Sequence, residues 1–304
     1  MKTIGITGGT GFTGRHIAKL LTTKGYDVII FTREPAKHQP QPHVSYAVWN
    51  PKTQEANHIA LQKLDGIIHL AGEGVADKRW TAKRKKAILE SRTLGTSFLV
   101  KLLQEHSPKC KVFIGASAIG YYGPDKDTIP FTEESQPYDD FLGNTCVQWE
   151  TASEPLKQTM RRVIFRNGIV LGNDGGAFPK FEQPTRFGIY PKLGGGKQIL
   201  SWIHIDDLAA LYVYALEHDH MQGAYNAVAP SPVSQKLLMY TIAHMKGFPP
   251  LGIPVPAWLL KLVLGEMSIE VLKSATVSSA KTEASGFVFQ YPTIAKAVKQ
   301  LLNK

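Results

Sequence analysis

The stretch MKTIGITGGTGFTG, residues 1–14, places a short apolar segment directly before a run of glycines. The segment TIGIT has the character of a buried parallel strand, and residues 12–21 repeat apolar side chains at helical spacing. Gly8, Gly11 and Gly14 therefore fall at a turn from strand to helix. They would permit, in that order, the tight turn, the approach of a pyrophosphate to backbone N–H groups, and close packing of helix on strand. This context predicts a dinucleotide pocket; the alternative is an ordinary glycine turn of an α/β protein.

Length and composition predict a globular protein of the cytoplasm. The chain has 304 residues, of which 43% are hydrophobic and 20% charged, as is ordinary for globular proteins. No apolar run reaches the roughly 18 residues of a spanning helix, and the N-terminus is strand-like rather than a signal peptide. Cys110 and Cys146 are the only cysteines, too few for a disulfide framework or a metal cluster. We therefore expect no membrane partner, no metal and a reducing compartment.

The excess of basic residues allows two interpretations. The formal net charge is +10, which suits an anionic ligand and also fits general solubility. Much of this charge lies at residues 78–86, in an amphipathic segment without a series of aromatic stacking residues. A solvated helix face is therefore favoured over a nucleic-acid patch, and we predict no nucleic-acid partner.

Strand-like and helix-like segments alternate through the N-terminal half of the chain. Strands are predicted at residues 28–32, 66–70, 111–116 and 162–166. This alternation indicates an α/β fold with a Rossmann-type, doubly wound parallel sheet. We expect a dinucleotide-binding domain over residues 1–228, with an insertion at about 173–200, and a smaller C-terminal α/β lobe over residues 229–304. The substrate site would lie between this cap lobe and the strand ends.

Further segments resemble the extended short-chain dehydrogenases/reductases of the NAD(P)-dependent epimerase/dehydratase family. They are HLAG at 69–72, SAIGYYG at 117–123, RNGIVLG at 166–172 and WIHIDDLA at 202–209. A finer pattern resembles the atypical "epimerase family protein" subgroup, which has a small C-terminal domain of unknown function. It consists of AGEGVADKRWTAKRKKAILESRTLGT at 71–96, FLGNTCVQWE at 141–150 and SGFVFQYP at 285–292.

The resemblance implies a set of cofactor contacts. HLAG would lie against the adenine-side ribose, although the pattern alone also fits a plain buried strand end. Arg92 stands where relatives usually carry Asn and would face the cofactor; without the resemblance, a surface helix arginine is the simpler interpretation. Away from the second strand, the implied contact residues are Gly8, Thr10, Gly11, Phe12, Thr13, Gly14, Leu70, Ala71, Gly72, Glu73, Arg92, Ser117, Cys146, Asn167, Gly168 and Val170.

The choice of cofactor depends on the end of the second strand. An NAD-specific fold places a carboxylate there to accept hydrogen bonds from the ribose 2′-hydroxyl. Here the strand ends in Thr32 and Arg33, so the carboxylate is absent and a guanidinium is available for a 2′-phosphate. Glu34 comes next, but its side chain is expected to point away. The sequence predicts NADP(H) rather than NAD(H), with Thr32 and Arg33 among its contacts.

The catalytic residues depart from the pattern of the resembling family. Its working members use a Tyr as general acid/base, a Lys four residues later, and a Ser on the preceding strand. Ser117 matches the serine. Alignment of Glu150 with the family glutamate places Leu142 and Cys146 where the Tyr–Lys pair belongs, and neither residue can replace its counterpart.

Two functions are compatible with these residues. In the first, the protein is an NADP(H)-dependent oxidoreductase or epimerase for a small carbonyl or sugar-nucleotide-like substrate, with Tyr121, Tyr122 or Tyr138 as proton donor. In the second, it binds NADP(H) without turnover, as a sensor or scaffold. Loop tyrosines more often pack with a tethered hydroxyl, and Cys146 also fits a small buried hydrophobe.

The segment WIHIDDLA and the oligomeric state leave alternatives of their own. His204, Asp206 and Asp207 invite a metal or acid–base interpretation, but the resemblance implies a structural role in which Asp caps the next helix. Homodimers formed through two helices are common among relatives, and nothing in this chain requires one.

Overall fold

The glycine-rich N-terminal stretch forms the first strand–helix unit of a large, mostly parallel sheet, as the alternating pattern predicted. The computed structural model describes residues 2–247 and 249–303, except for the side chains of residues 186 and 187. Its strands are β1 Thr3–Thr7, β2 Asp27–Thr32, β3 Val44–Asn50, β4 Glu55–Ala56, β5 Gly66–His69, β6 Val112–Ala118, β7 Arg161–Asn167, β8 Ile169–Gly172, β9 Gly175–Gly176, β10 Ile189–Leu193, β11 Ile199–Leu200, β12 Trp202–His204, β13 Gly223–Ala227, β14 Val233–Ser234 and β15 Leu251–Val255.

Helices cover both faces of this sheet, which explains the nearly continuous apolar strands. Along β2, Val28 and Ile30 contribute to a core shared with the first and sixth helices, whereas Ile29 and Phe31 contribute to a core shared with the second and third. The α-helices are α1 Phe12–Thr23, α2 His58–Gln62, α3 Ala82–His106, α4 Phe141–Thr151, α5 Phe178–Glu182, α6 Ile205–Glu217, α7 Gln235–Met245, α8 Ala257–Leu264, α9 Ser268–Leu272, α10 Ala280–Ala284 and α11 Ile294–Leu302. Short 3₁₀ helices lie at Pro35–Lys37, Ile119–Tyr121, Glu154–Gln158, Gln183–Phe187 and Gly265–Met267.

The order of the strands determines where a ligand can enter. Among the described residues the sheet runs β13-β7-β6-β5-β1-β2-β3-β4, and only the β3–β4 pair is antiparallel. From β1 the chain first moves outward through β2 and β3, then returns to β5 on the other side of β1. This reversal opens a crevice at the carboxyl ends of β1 and β5, the usual ligand position in doubly wound sheets.

The chain after β7 builds smaller sheets and a third apolar core. The smaller sheets pair β12, β8 and β9, then β11 with β14, and β10 with β15. Trp202 of β12, Leu238 of α7 and Val298 of α11 meet in the third core, so residues on both sides of position 229 build it together. Among the described residues, no helix combines the length and the apolar character needed to cross a membrane.

Candidate functional site

The turn after β1 holds its glycines against the end of β5 and the start of α1. Gly8 has a φ of 72°, and a Cβ there would lie 2.9 Å from the backbone nitrogen of Ala71. A Cβ on Gly14 would lie 2.6 Å from the Cα of Gly9. The N–H of Gly11 donates to the carbonyl of Gly8 at 3.0 Å and closes the turn. Because backbone atoms occupy both positions, only glycine allows the N-terminus of α1 to lie this close to the crevice.

A cleft of about 720 Å³ opens at this crevice. It brings together many predicted contact residues: Gly8, Thr10, Gly11, Thr32, Arg33, Leu70, Ala71, Gly72 and Glu73. Its lining also includes residues that sequence reasoning missed, among them Trp49, Pro51, Lys52, Ser91 and Leu94. Three of these lie at or just beyond the end of β3, whose VSYAVWN pattern and following proline were the available signal.

The other predicted contact residues are not part of the lining of this cleft. Phe12, Thr13 and Gly14 form the first turn of α1. Arg92 lies on α3, Ser117 on β6 and Cys146 on α4. The remaining three lie at the end of β7 and just after it: Asn167, Gly168 and Val170.

The ring of Phe12 joins the glycine turn to a later part of the chain. A Cβ on Gly175 would lie 2.5 Å from this ring, so the β8–β9 turn needs glycine to pack over it. Asp174 of the same turn accepts a hydrogen bond from Arg15 at 3.3 Å, and its other oxygen lies 3.0 Å from Nε2 of His16. The β8–β9 turn therefore covers the first turn of α1.

Arg33 brings a positive charge to the edge of the cleft. Its guanidinium is exposed and forms no ion pair with any described residue. The neighbouring Glu34 instead accepts from Lys37, whose Nζ lies 2.6 Å from its Oε1 and whose hydrogen bond lowers the pKa of this carboxyl group. Glu34 is absent from the cleft lining, as expected from its position after Arg33.

Arg92 and Cys146 lie beside the cleft near Glu73. Arg92 donates to the carbonyl of Glu73 at 3.0 Å, and its guanidinium carbon lies 4.8 Å from the centre of a Trp149 ring. Burial lowers the pKa of Arg92, and the thiol of Cys146 and the carboxylate of Glu73 oppose this shift. Burial raises the pKa of Cys146 to about 11, so the thiol is protonated at neutral pH. Arg92 is thus a half-buried cation packed on Trp149, unlike a solvated surface arginine.

Ser117 belongs to a buried polar network. Its hydroxyl donates to Oε1 of Glu150 at 2.7 Å. Glu150 is held by Arg166, whose Nε and Nη2 donate to the two carboxylate oxygens at 2.9 Å each. Arg166 also donates to the hydroxyl of Tyr122 at 2.9 Å, and that hydroxyl donates to Asn226 at 2.6 Å. The Ser117 proton is therefore directed toward Glu150.

The candidate tyrosines differ in their surroundings. Tyr122 is 1% exposed, burial raises the pKa of its hydroxyl, and that hydroxyl is tethered in the polar network. The ring of Tyr121 lies 3.5 Å from the guanidinium carbon of Arg166, and Tyr121 and Tyr138 are both half-buried.

The sequence contains one Tyr-x-x-x-Lys spacing, Tyr122 to Lys126, which sequence reasoning missed. It follows a 3₁₀ turn rather than lying on a helix, and Lys126 Nζ lies 5.9 Å from the centre of the Tyr138 ring.

The WIHIDDLA segment ties α6 to the C-terminal part of the chain. Asp207 accepts from the backbone nitrogens of Gln290 and Tyr291 at 2.8 and 2.9 Å. The expected Asp cap is wrong in detail, because the ring of His204 accepts from the backbone nitrogen of Asp206 at 3.1 Å and caps the helix. Desolvation raises the pKa of Asp207, and the two backbone hydrogen bonds oppose this shift.

This fold and this glycine turn define a class of dinucleotide-binding proteins, the extended short-chain dehydrogenases/reductases. The chain belongs to the epimerase family within that class. The model of the NAD dependent epimerase/dehydratase family matches residues 4–146, and a domain of unknown function, DUF1731, matches residues 255–301.

Individual relatives match over essentially the whole chain. The epimerase family protein YfhF of Bacillus subtilis is 38% identical over 305 residues, covering 98% of this chain and 97% of that protein. The epimerase family protein SERP0438 of Staphylococcus epidermidis is 36% identical over 306 residues, covering 100% of both chains. The crystal structure of the human epimerase family protein SDR39U1 (isoform 2) with NADPH is similar with a TM-score of 0.88 and 30% identity, covering 99% of each chain.

Proposed function

We propose that the protein binds NADP(H) in the cleft between β1 and β5, with Arg33 holding the 2′-phosphate. Arg33 carries the proposal, because it stands at the end of β2 where an NAD-specific fold has a carboxylate, and it forms no ion pair with any described residue. The similar human structure contains NADPH. Both cysteines are free and buried, which fits the reducing cytoplasm as the place of action.

The chain's own groups fit such a cofactor. Gly8, Thr10 and Gly11 line the cleft, and their backbone, with Gly11 at the N-terminus of α1, suits a pyrophosphate. Residues 70–73 also line the cleft, and Ala71 and Gly72 among them have small side chains or none. Arg92, fixed on the carbonyl of Glu73, keeps a cation next to this wall. When bound, NADPH supplies a hydride at its nicotinamide ring.

The cofactor proposal is tested by titration with NADPH and NADH, followed by calorimetry and nicotinamide fluorescence. We expect NADPH to bind at least about tenfold more tightly, which corresponds to about 1.4 kcal/mol. Arg33→Asp should reverse the order of the two affinities. Lys37→Asp is the matched control, because Lys37 already pairs with Glu34 and does not line the cleft. The proposal would be contradicted if the unmodified protein and Arg33→Asp each bound NADPH and NADH with equal affinity.

For the reaction, we propose hydride exchange with a small carbonyl or sugar-nucleotide-like substrate, with Tyr121 or Tyr138 as the proton donor. These two are half-buried, whereas the Tyr122 hydroxyl is enclosed between Arg166 and Asn226. NADPH oxidation across a panel of carbonyl and sugar-nucleotide compounds tests this. Replacement of the true proton donor by Phe should lower kcat at least about a hundredfold and leave the affinity for NADPH unchanged.

Binding without turnover is a second candidate, favoured by the state of the residues that replace the usual pair. Leu142 has no proton to give, the Cys146 thiol is protonated at neutral pH, and Ser117 donates to Glu150. Tight NADPH binding with no oxidation by any compound of the panel would favour a sensor or scaffold over an enzyme.

A further inference from the structure

The turn after β3 carries a second cation into the same cleft. β3 is parallel to β2, and Thr32 pairs in register with Val48. β3 continues two residues past that pair to Asn50, so Lys52 lies beyond the carboxyl edge of the sheet and, like Arg33, lines the cleft. Parallel neighbours end at the same edge, which brings the two side chains to one side of the cleft.

This turn is held in place by its own hydrogen bonds. The backbone nitrogen of Lys52 donates to Oδ1 of Asn50 at 3.1 Å. Gln54, with a φ of 57°, donates from Nε2 to the carbonyl of Pro51 at 2.8 Å. The backbone position of Lys52 is therefore fixed before any ligand arrives, while its long side chain stays exposed.

The charges in the cleft leave two cations without a partner. Four charged residues line it: Arg33, Lys52, Glu73 and Glu90. Glu73 is paired with Arg84 at 3.0 Å, and Glu90 lies 3.7 Å from Lys86. Within residues 2–247 and 249–303, neither the Arg33 nor the Lys52 side chain has an ion-pair or hydrogen-bond partner.

We infer that Lys52 and Arg33 together form a subsite for a phosphate monoester on the adenosine ribose. The inference rests on the proposed binding of NADP(H) and adds a second specificity-determining residue to it. A phosphate monoester carries a charge of about −1.5 to −2 at neutral pH. One guanidinium neutralises only part of this charge, whereas two cations balance it. Arg33 can bind two of its oxygens as a planar fork, and Lys52 serves as the second, mobile point charge.

The test uses nucleotide fragments, so that the nicotinamide end plays no part. Adenosine 2′,5′-bisphosphate and adenosine 5′-monophosphate are titrated by calorimetry into the full-length protein and its Arg33→Asp, Lys52→Gln, Lys52→Arg and Lys37→Gln variants. Lys52→Gln should weaken the binding of the bisphosphate about tenfold, as expected for the loss of one charge-assisted hydrogen bond. The same variant should weaken the binding of the monophosphate less than about twofold. Lys52→Arg should keep the preference, and Lys37→Gln should change neither affinity.

The outcomes separate this inference from the cofactor proposal. A bisphosphate preference that Arg33→Asp abolishes and Lys52→Gln leaves intact would overturn the Lys52 subsite and keep the NADP(H) proposal. Equal weakening of both fragments by Lys52→Gln would also overturn it, because the lysine would then act on the shared 5′-phosphate. Failure of both fragments to bind the unmodified protein would overturn both proposals.

Discussion

Removal of the Glu150 carboxylate should destabilise the protein strongly, because it leaves a buried guanidinium without its counter-charge. The side chains of Arg166 and Glu150 are 5% and 14% exposed, and two hydrogen bonds of 2.9 Å join them. In Glu150→Gln, Arg166 keeps only the Tyr122 hydroxyl and the carbonyl of Glu133 as certain acceptors. Breaking a buried pair from one side costs about 3–5 kcal/mol, and the remaining amide oxygen puts this variant near 3 kcal/mol.

Urea unfolding, followed by circular dichroism, measures this loss in a double-mutant cycle. Arg166→Gln alone should cost a similar amount, and the double variant should lose at least about 2 kcal/mol less than the sum, since it buries no unpaired charge. Lys157→Gln is the control: it breaks the half-exposed pair with Glu154 and should cost less than about 1 kcal/mol. Additive losses, or a Glu150→Gln variant no worse than the control, would refute the reasoning.

Three further predictions concern packing and protonation. Gly14→Ala should lower the free energy of unfolding by about 3 kcal/mol, because the added methyl group would collide with backbone atoms. In the control Gly95→Ala, the nearest atom to the added methyl group is 3.6 Å away, an ordinary contact, so this variant should be as stable as the unmodified protein or more so. Equal stabilities of the two variants would contradict this. His69 is fully buried with a pKa lowered to about 3, so only the unfolded chain takes up its proton at mildly acidic pH. The contribution of His69 to the free energy of unfolding should therefore rise by about 1.4 kcal/mol per pH unit between about pH 4 and 6. In urea unfolding at several pH values, the free energy of unfolding of His69→Asn should rise less steeply with pH, by that same amount per pH unit. Burial raises the pKa of Cys146 to about 11 and that of Cys110 to about 12, so iodoacetamide should label either thiol at least about a hundredfold more slowly than in the unfolded chain; comparable rates by peptide mass spectrometry would count against this.

The parts of the fold that sequence reasoning predicted are those with a strong local signal. The segment TIGIT and its three glycines identify β1 and α1 because apolar character, turn and helix period all lie within a few residues. Of the longer strands in the large sheet, the predicted list omitted β3 and β13. Each of these has one long neighbour in the sheet, so their residues alternate or mix in exposure and lack a continuous apolar run.

In the candidate site, too, the residues that could be predicted are those with a local signal in the sequence. Arg33 could be predicted to line the cleft because strand-end position is a local property. Lys52 could not, since its place depends on β3. The tether of Tyr122 was out of reach for a different reason: its partners Arg166 and Asn226 are 44 and 104 residues away, and β-strand pairing brings them together.

The packing of Phe12 under the β8–β9 turn also affects how the protein is made. Asp174, which secures that turn to α1, follows His16 by 158 residues. At about 5–20 residues per second, a ribosome needs roughly 8–30 s to cover this distance. Throughout that interval the nascent chain has the glycine turn after β1 but not the β8–β9 turn that covers Phe12. A fragment that ends before Gly175 lacks the glycine that packs over the Phe12 ring, so the first turn of α1 gains this cover only after the later turn has been made.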